Sequence, residues 1–419
     1  MLELAKQEHF SLSGIHHLPE FMAILVLSWF GAVTSLGQTS IQEFRNVLRD
    51  EATFSADDFS AIERGEMVVK VLPVNDKREV AVCGLMRTQT PVEASLRAFN
   101  LSMTQRNRKS ILQLGKFSNP PAVEDLQALT LENRDIDDLK RCVIGDCKLQ
   151  MSAAMIERMR TEVDWAAPDY RLQATRLFRQ MLLEYVRDYL SRGDPALIEY
   201  HDQPREVRLD EEQRSLLDGS LYINNFAAEF TQYLKGFPNY ELTEVENSIN
   251  WVKIKFGLKP VTILTHVATY RRRAGGAPQI VVVSKQLYAN HYFDSSLALT
   301  ALISIPRTST TSDSYLLYTN RSRAGALAGS FSRIKRGLVE GEAITNLNAI
   351  LLQTRLNLET SSINHSGSPP RSLTPRIVEW LFGGTRLFWW LFAIIVLVAL
   401  FGLRRRYSKR SLASFGRDH

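Results

Sequence analysis

Residues 261–293 read VTILTHVATYRRRAGGAPQIVVVSKQLYANHYF. Leu264, His266, Ala268 and Tyr270 alternate with Ile263, Thr265, Val267 and Thr269, the period of two that a strand imposes on its two faces. A turn-rich interval, Arg272–Pro278, separates this run from Ile280–Phe293. Leu297–Ser304 and Tyr315–Asn320 follow, with another turn-rich interval at Pro306–Ser314. The pattern predicts a meander of antiparallel strands.

Downstream, Ala324–Leu358 carries Leu327, Phe331, Ile334, Leu338, Ile344, Leu347, Leu351 and Leu358 at three- and four-residue spacing. That spacing predicts one long helix with an apolar stripe, and Gly337 and Gly341 mark a site for a bend. Upstream, MVVKVL (67–72) and REVAVCGLMR (78–87) read as two strands around an Asn75-Asp76-Lys77 turn. Pro91 opens a helical stretch, and residues 110–117 read as a further strand. From about 120 to 250 the character is helical. Asp169–Leu190 has a clear apolar stripe stopped by Gly193-Asp194-Pro195, and Leu221–Leu234 and Leu242–Phe256 are further helix candidates. No Pro/Gly/Ser linker bounds this region, so it reads as a helical insertion and not as a separate domain.

The chain has 419 residues, 45% hydrophobic and 23% charged, the composition of a globular protein. Six of its 51 basic residues and one of its 45 acidic residues fall in 404–419, leaving 45 against 44 elsewhere. So neutral a body lacks the electrostatic footprint of phosphate binding, which argues against a nucleic-acid partner.

Both ends are apolar. Leu387–Leu403 (LFWWLFAIIVLVALFGL) is uncharged, has Trp389 and Trp390 near one end and is closed by Arg404–Arg406. It predicts a transmembrane helix, with the basic tail 404–419 in the cytoplasm and the body outside. Phe21–Val33 has the length of a signal-peptide h-region and is followed by Ser35-Leu36-Gly37, a site for cleavage after Gly37; an uncleaved anchor is the alternative. The organisation expected is a signal or anchor segment (1–37), an extracytoplasmic body (41–359), a polar Pro/Ser-rich tether (360–386), the span and the tail. In an exported body Cys142 and Cys147, with four residues between them, suit a disulfide, with free thiols or a metal ligand as other uses. Cys83, inside an apolar run, reads as a core residue.

The order of elements resembles the helix-grip arrangement of the START-like superfamily. The resemblance is carried by GEMVVKVL with REVAVCGLMRTQTPVEASLRAF, by the strands from Val261 to Asn320, and by the helix from Ala324 to Glu359. It implies an α+β fold in which a curved antiparallel sheet wraps a long C-terminal helix around a cavity, here with a large helical insertion. It also implies a hydrophobic or amphipathic ligand, with binding or transport more usual than catalysis.

Signatures of catalysis are scarce. GxGxxG, GxxxxGK[ST], HExxH and GxSxG are absent. Ser332-Arg333-Ile334-Lys335 is an SxxK, but Ser312-Asp313-Ser314 precedes it and no KTG follows, so the order of a serine-acylating enzyme is not met. Asn133–Asp138 lacks the glycine of a calcium loop and reads as a solvated helix start. The predicted strand Ile280–Phe293 is more informative. Lys285 and His291 interrupt the apolar row Val281, Val283, Leu287, Ala289, Phe293, and His266 does the same on the neighbouring strand. Either protein groups satisfy them, or they meet the polar end of a lipid-like ligand in a pocket closed by the long helix. Tyr270, Tyr288, Tyr292, Tyr318 and Asn320 would complete that pocket. No metal or cofactor is predicted. The other classes open to this sequence are an enzyme in the same cavity and a membrane-tethered scaffold for a protein partner.

Overall fold

The computed structural model describes residues 42, 44–50, 52–220, 227–274, 277–306, 312–329 and 332–364. After a helical segment at 44–50 come α1 (Ala56–Glu63), β1 (Met67–Val71), β2 (Glu79–Thr88), α2 (Val92–Asn107) and β3 (Ile111–Lys116). The insertion holds α3 (Asn133–Leu139), α4 (Ala153–Glu162), α5 (Tyr170–Arg192), a small hairpin of β4 (Glu199–Tyr200) and β5 (Val207–Arg208), α6 (Leu209–Asp218) and α7 (Ala228–Gly236). The meander is β6 (Val245–Ile254), β7 (Val261–Ala274), β8 (Ala277–Ala289), β9 (Ser295–Pro306) and β10 (Ser312–Arg323), followed by α8 (Ser332–Asn364).

The protein is α+β, and eight strands form one antiparallel sheet in the order β1-β2-β10-β9-β8-β7-β6-β3. Both faces are covered. Val82, Met86, Val267, Ile280, Val282, Leu302 and Leu316 pack under α2 and α8 with Phe99, Leu347 and Leu351. The alternate residues Cys83, Leu85, Val281, Val283 and Leu317 pack under α6, α7 and the 44–50 helix with Phe44, Leu48, Leu217, Phe230 and Leu234. Burial on both sides is why the central strands read as near-continuous apolar runs such as Ile280–Val283. Gly84 lets α8 approach β2 closely: a Cβ there would sit 2.9 Å from Leu347 Cδ2. The insertion has no separate core. Phe178, Leu182 and Val186 of α5 share one cluster with Trp251, Leu264, Leu287 and Tyr288 of the sheet.

Several expectations need correction. Residues 242–256 contain strand β6, not a helix. The strand expected over Ile280–Phe293 ends at Ala289. The last helix begins at Ser332, runs unbroken through Gly337 and Gly341, and takes in residues 360–364 of the expected tether. Asp135, expected on a solvated helix start, is buried. The Cys142–Cys147 disulfide is present, and Cys83 is a buried free thiol. Among the described residues no helix is long and apolar enough to cross a membrane. The segments 1–37 and 387–403 and the tail 404–419 lie outside the described residues.

Candidate functional site

The predicted site residues fall into three places. Lys285 and His266 are cross-strand partners on the face covered by the insertion. Tyr270 and Tyr288 share that face but lie away from the pair, in the side-chain clusters under α7 and α5. His291 and Tyr292 lie beyond β8 in the turn to β9, and Tyr318 and Asn320 line a cavity under α8 on the opposite face. The expectation that Val281, Val283 and Leu287 face the long helix is therefore wrong: they face the insertion, and Ile280 and Val282 face the helix. One extra residue in β8 explains part of the scatter. Leu264 pairs with Tyr288 and Thr265 with Gln286, so a bulge at Leu287 breaks strict alternation.

Tyr318 and Asn320 line a cavity of about 70 Å³, together with Val80, Leu327, Val339 and Leu347. Phe293, from the predicted apolar row, also borders it. That is room for a few water molecules, well below the roughly 300 Å³ at which ordinary ligand pockets begin. His291 is satisfied within the protein. Its Nε2 lies 3.2 Å from both carboxylate oxygens of Asp135, and Lys259 Nζ lies 2.8 Å from Asp135 and 2.7 Å from Asp138. Burial alone would raise the Asp135 carboxyl, but pairing with His291 and Lys259 outweighs it and holds the group below its usual value. Tyr292 accepts a hydrogen bond from Lys259 N, Tyr288 donates to Gln150 O, and Tyr270 donates to Glu229.

Lys285 is different, because it forms part of the wall of a pocket. Helix α5 stops at Gly193, and the following turn brings the Asp194 carboxylate onto Lys285 Nζ. The ammonium also sits over the Tyr189 ring, 5.7 Å from its centroid. Burial presses the Lys285 pKa downward, and Asp194 only partly offsets this. The pocket beside the pair has a volume of about 240 Å³. Leu217, Leu234, Val283 and Leu297 give it an apolar side, and Gln213, Arg214 and Lys235 add polar groups. Gln213 donates to the carbonyls of Gln286 and Ser296, while its Oε1 has no hydrogen-bond partner.

Behind Lys285 runs a hydrogen-bonded chain. Tyr189 OH donates to His266 Nδ1 (2.8 Å), His266 Nε2–H donates to Asn247 Oδ1 (2.8 Å), and Asn247 Nδ2 donates to Tyr233 OH (2.6 Å). His266 is thereby a neutral, satisfied core histidine. Burial first, then the charge of Lys285, pushes its pKa down to about 3. In the unfolded chain the imidazole takes a proton near 6.5, so between these values only unfolding gains that proton and acid weakens the fold. The stability gap between the wild type and His266→Gln should therefore narrow by about 1.4 kcal/mol per unit as pH falls from 6 to 4. Urea unfolding at each pH checks this, and a gap independent of pH would show His266 charged in the folded state.

Ser332 and Lys335 do not form a nucleophile–base pair: Lys335 Nζ donates to Ala326 O, 3.0 Å away. In the sequence Gly193-Asp194-Pro195 reads as a helix stop and Tyr189 as a member of the α5 apolar stripe, and Gln213 carries no signal. No local pattern in Gly193-Asp194-Pro195 marks Asp194 as the partner of a lysine 91 residues away. No protein-family model matches the sequence, and no curated protein does.

Proposed function

We propose that the protein is a membrane-anchored, extracytoplasmic ligand-binding domain whose site is the Lys285 pocket, taking a small amphipathic molecule with an anionic head. The observation that carries this is a buried ammonium in the wall of a pocket with an apolar side. Lys285, Arg214 and Lys235 converge on that space, each already paired to a carboxylate (Asp194, Asp210 and Asp218), and an anion set among the three adds to the offset of the buried charge. Leu217, Leu234 and Leu297 suit a short apolar body, and about 240 Å³, itself below the roughly 300 Å³ of a drug-sized pocket, suits a chain of a few carbons and not a full lipid tail. The Cys142–Cys147 disulfide supports a location in an oxidising compartment, and the 387–403 run supports attachment to a bilayer. An antiparallel sheet with a long C-terminal helix laid across one face supports the helix-grip reading.

The test is thermal unfolding of the full chain in detergent with a series of carboxylates from butanoate to octanoate, each beside the alcohol of equal length. A carboxylate at ten times its Kd should add about 1.4 kcal/mol of stability, and the alcohol little. Leu234→Trp, which fills the pocket, should abolish the effect. Equal responses to acids and alcohols, or none to either series, would sink the proposal.

A further inference from the structure

We propose a divalent-metal site on the β4–β5 hairpin, made by Glu199, His201 and Glu206 and independent of the Lys285 pocket. In the hairpin register Glu199 faces Arg208 and Tyr200 faces Val207, so His201 and Glu206 follow as the next opposed pair. Alternation turns Tyr200 inward, where its hydroxyl accepts from Ala289 N, and leaves Glu199 and His201 on the outer side. One ligand atom from each of the three residues lies within 4.8 Å of the others. Nε2 of His201 is 3.4 Å from Glu206 Oε1 and 3.9 Å from Glu199 Oε1. A tetrahedral ion with bonds of about 2.1 Å sets its ligands about 3.4 Å apart, so small side-chain rotations close the site.

The imidazole is oriented for the task. Its Nδ1 lies 3.1 Å from Glu199 O. When that nitrogen donates to the carbonyl, the lone pair on Nε2 points at the two carboxylates, and a backbone carbonyl behind a metal-bound histidine is the usual way to fix its tautomer. The backbone beneath is held firmly. His201 N donates to Met151 O, and Gly145 N and Cys147 N of the disulfide-closed loop donate to His201 O and Asp202 O. One nitrogen and two carboxylates select a borderline ion such as Zn²⁺, Co²⁺ or Ni²⁺ over the all-oxygen preference of Ca²⁺ and Mg²⁺. Three protein ligands leave at least one position for water.

The experiment is calorimetric titration of the EDTA-treated full chain with ZnCl2, and a visible spectrum with CoCl2. One equivalent of zinc should bind, with a d–d band for cobalt. His201→Ala should weaken binding at least 100-fold and Glu206→Gln at least tenfold, both melting as the wild type does in EDTA. Glu206 is 61% exposed at its side chain, so its variant keeps the test open if His201→Ala fails to fold. Binding below one equivalent, or binding unchanged in Glu206→Gln, would overturn the site and leave an ordinary histidine–carboxylate contact.

Discussion

Gly193→Ala should cost the fold more than about 4 kcal/mol, an effect reserved for a short list of mechanisms. Two of them act at this position. Gly193 has φ +69° and ψ −139°, a conformation that residues with a Cβ avoid. The added Cβ would also lie 1.8 Å from the Phe237 carbonyl oxygen, and because the obstacle is backbone no side chain can swing aside. Either α5 or the segment after α7 must shift. Both flank the Lys285 pocket, so any folded remnant should also lose the Asp194–Lys285 pairing. Urea unfolding followed by circular dichroism checks this, and a midpoint within experimental error of the wild type would contradict the close approach.

Glu79→Ala should cost about 3–5 kcal/mol, because it strands buried cations. Glu79 opens β2 and is buried, accepting from Arg321 NH1 at 2.6 Å and from Arg323 Nε and NH2 at 2.9 and 2.8 Å. Arg323 keeps Glu212 and Ser215, and Glu212 also takes Arg78, which reaches on to Asp76 and Asp294. Arg321 loses its carboxylate partner, and its Nε is already without an acceptor. The double variant Glu79→Ala/Arg321→Met should recover much of the loss, since removing both charges is milder than removing one. A cost below about 1 kcal/mol for Glu79→Ala in urea would show the guanidinium groups hydrated despite their burial.

The meander was legible because its apolar runs are bounded by turns that carry glycine, proline and serine, and the long last helix because its three- and four-residue spacing is clean. Segment 242–256 was not. Leu242, Val245, Ile249, Val252 and Phe256 fall at helical spacing, yet β6 is buried on both sides from Ile249 onward, so its alternation vanishes and a false helical stripe remains. The site was legible in halves. Period two placed Lys285 and His266 on one face, as the register confirms. The groups that satisfy them, Asp194 and Tyr189, come from the insertion, about 80 residues and more away in sequence, and no local pattern announces such pairings. The bulge at Leu287 leaves no mark in composition and takes Ala289 out of the expected row, while His291 and Phe293 leave it because the strand ends at Ala289.

The pairing of β2 with β10 has a consequence for how the chain is made. Its ten registered positions join residues 226 to 244 apart in sequence. At ribosomal speeds of 5–20 residues per second, β2 leaves the exit tunnel roughly 10–50 s before its partner exists. Through that interval Val80, Val82, Leu85 and Met86, buried once the sheet is complete, have only β1 beside them in the sheet. Arg321 and Arg323 arrive on the closing strand, so Glu79 waits as long for its counter-charges. Synthesis of β10 therefore completes the sheet and neutralises its buried carboxylate together, and a nascent chain halted before residue 312 holds neither.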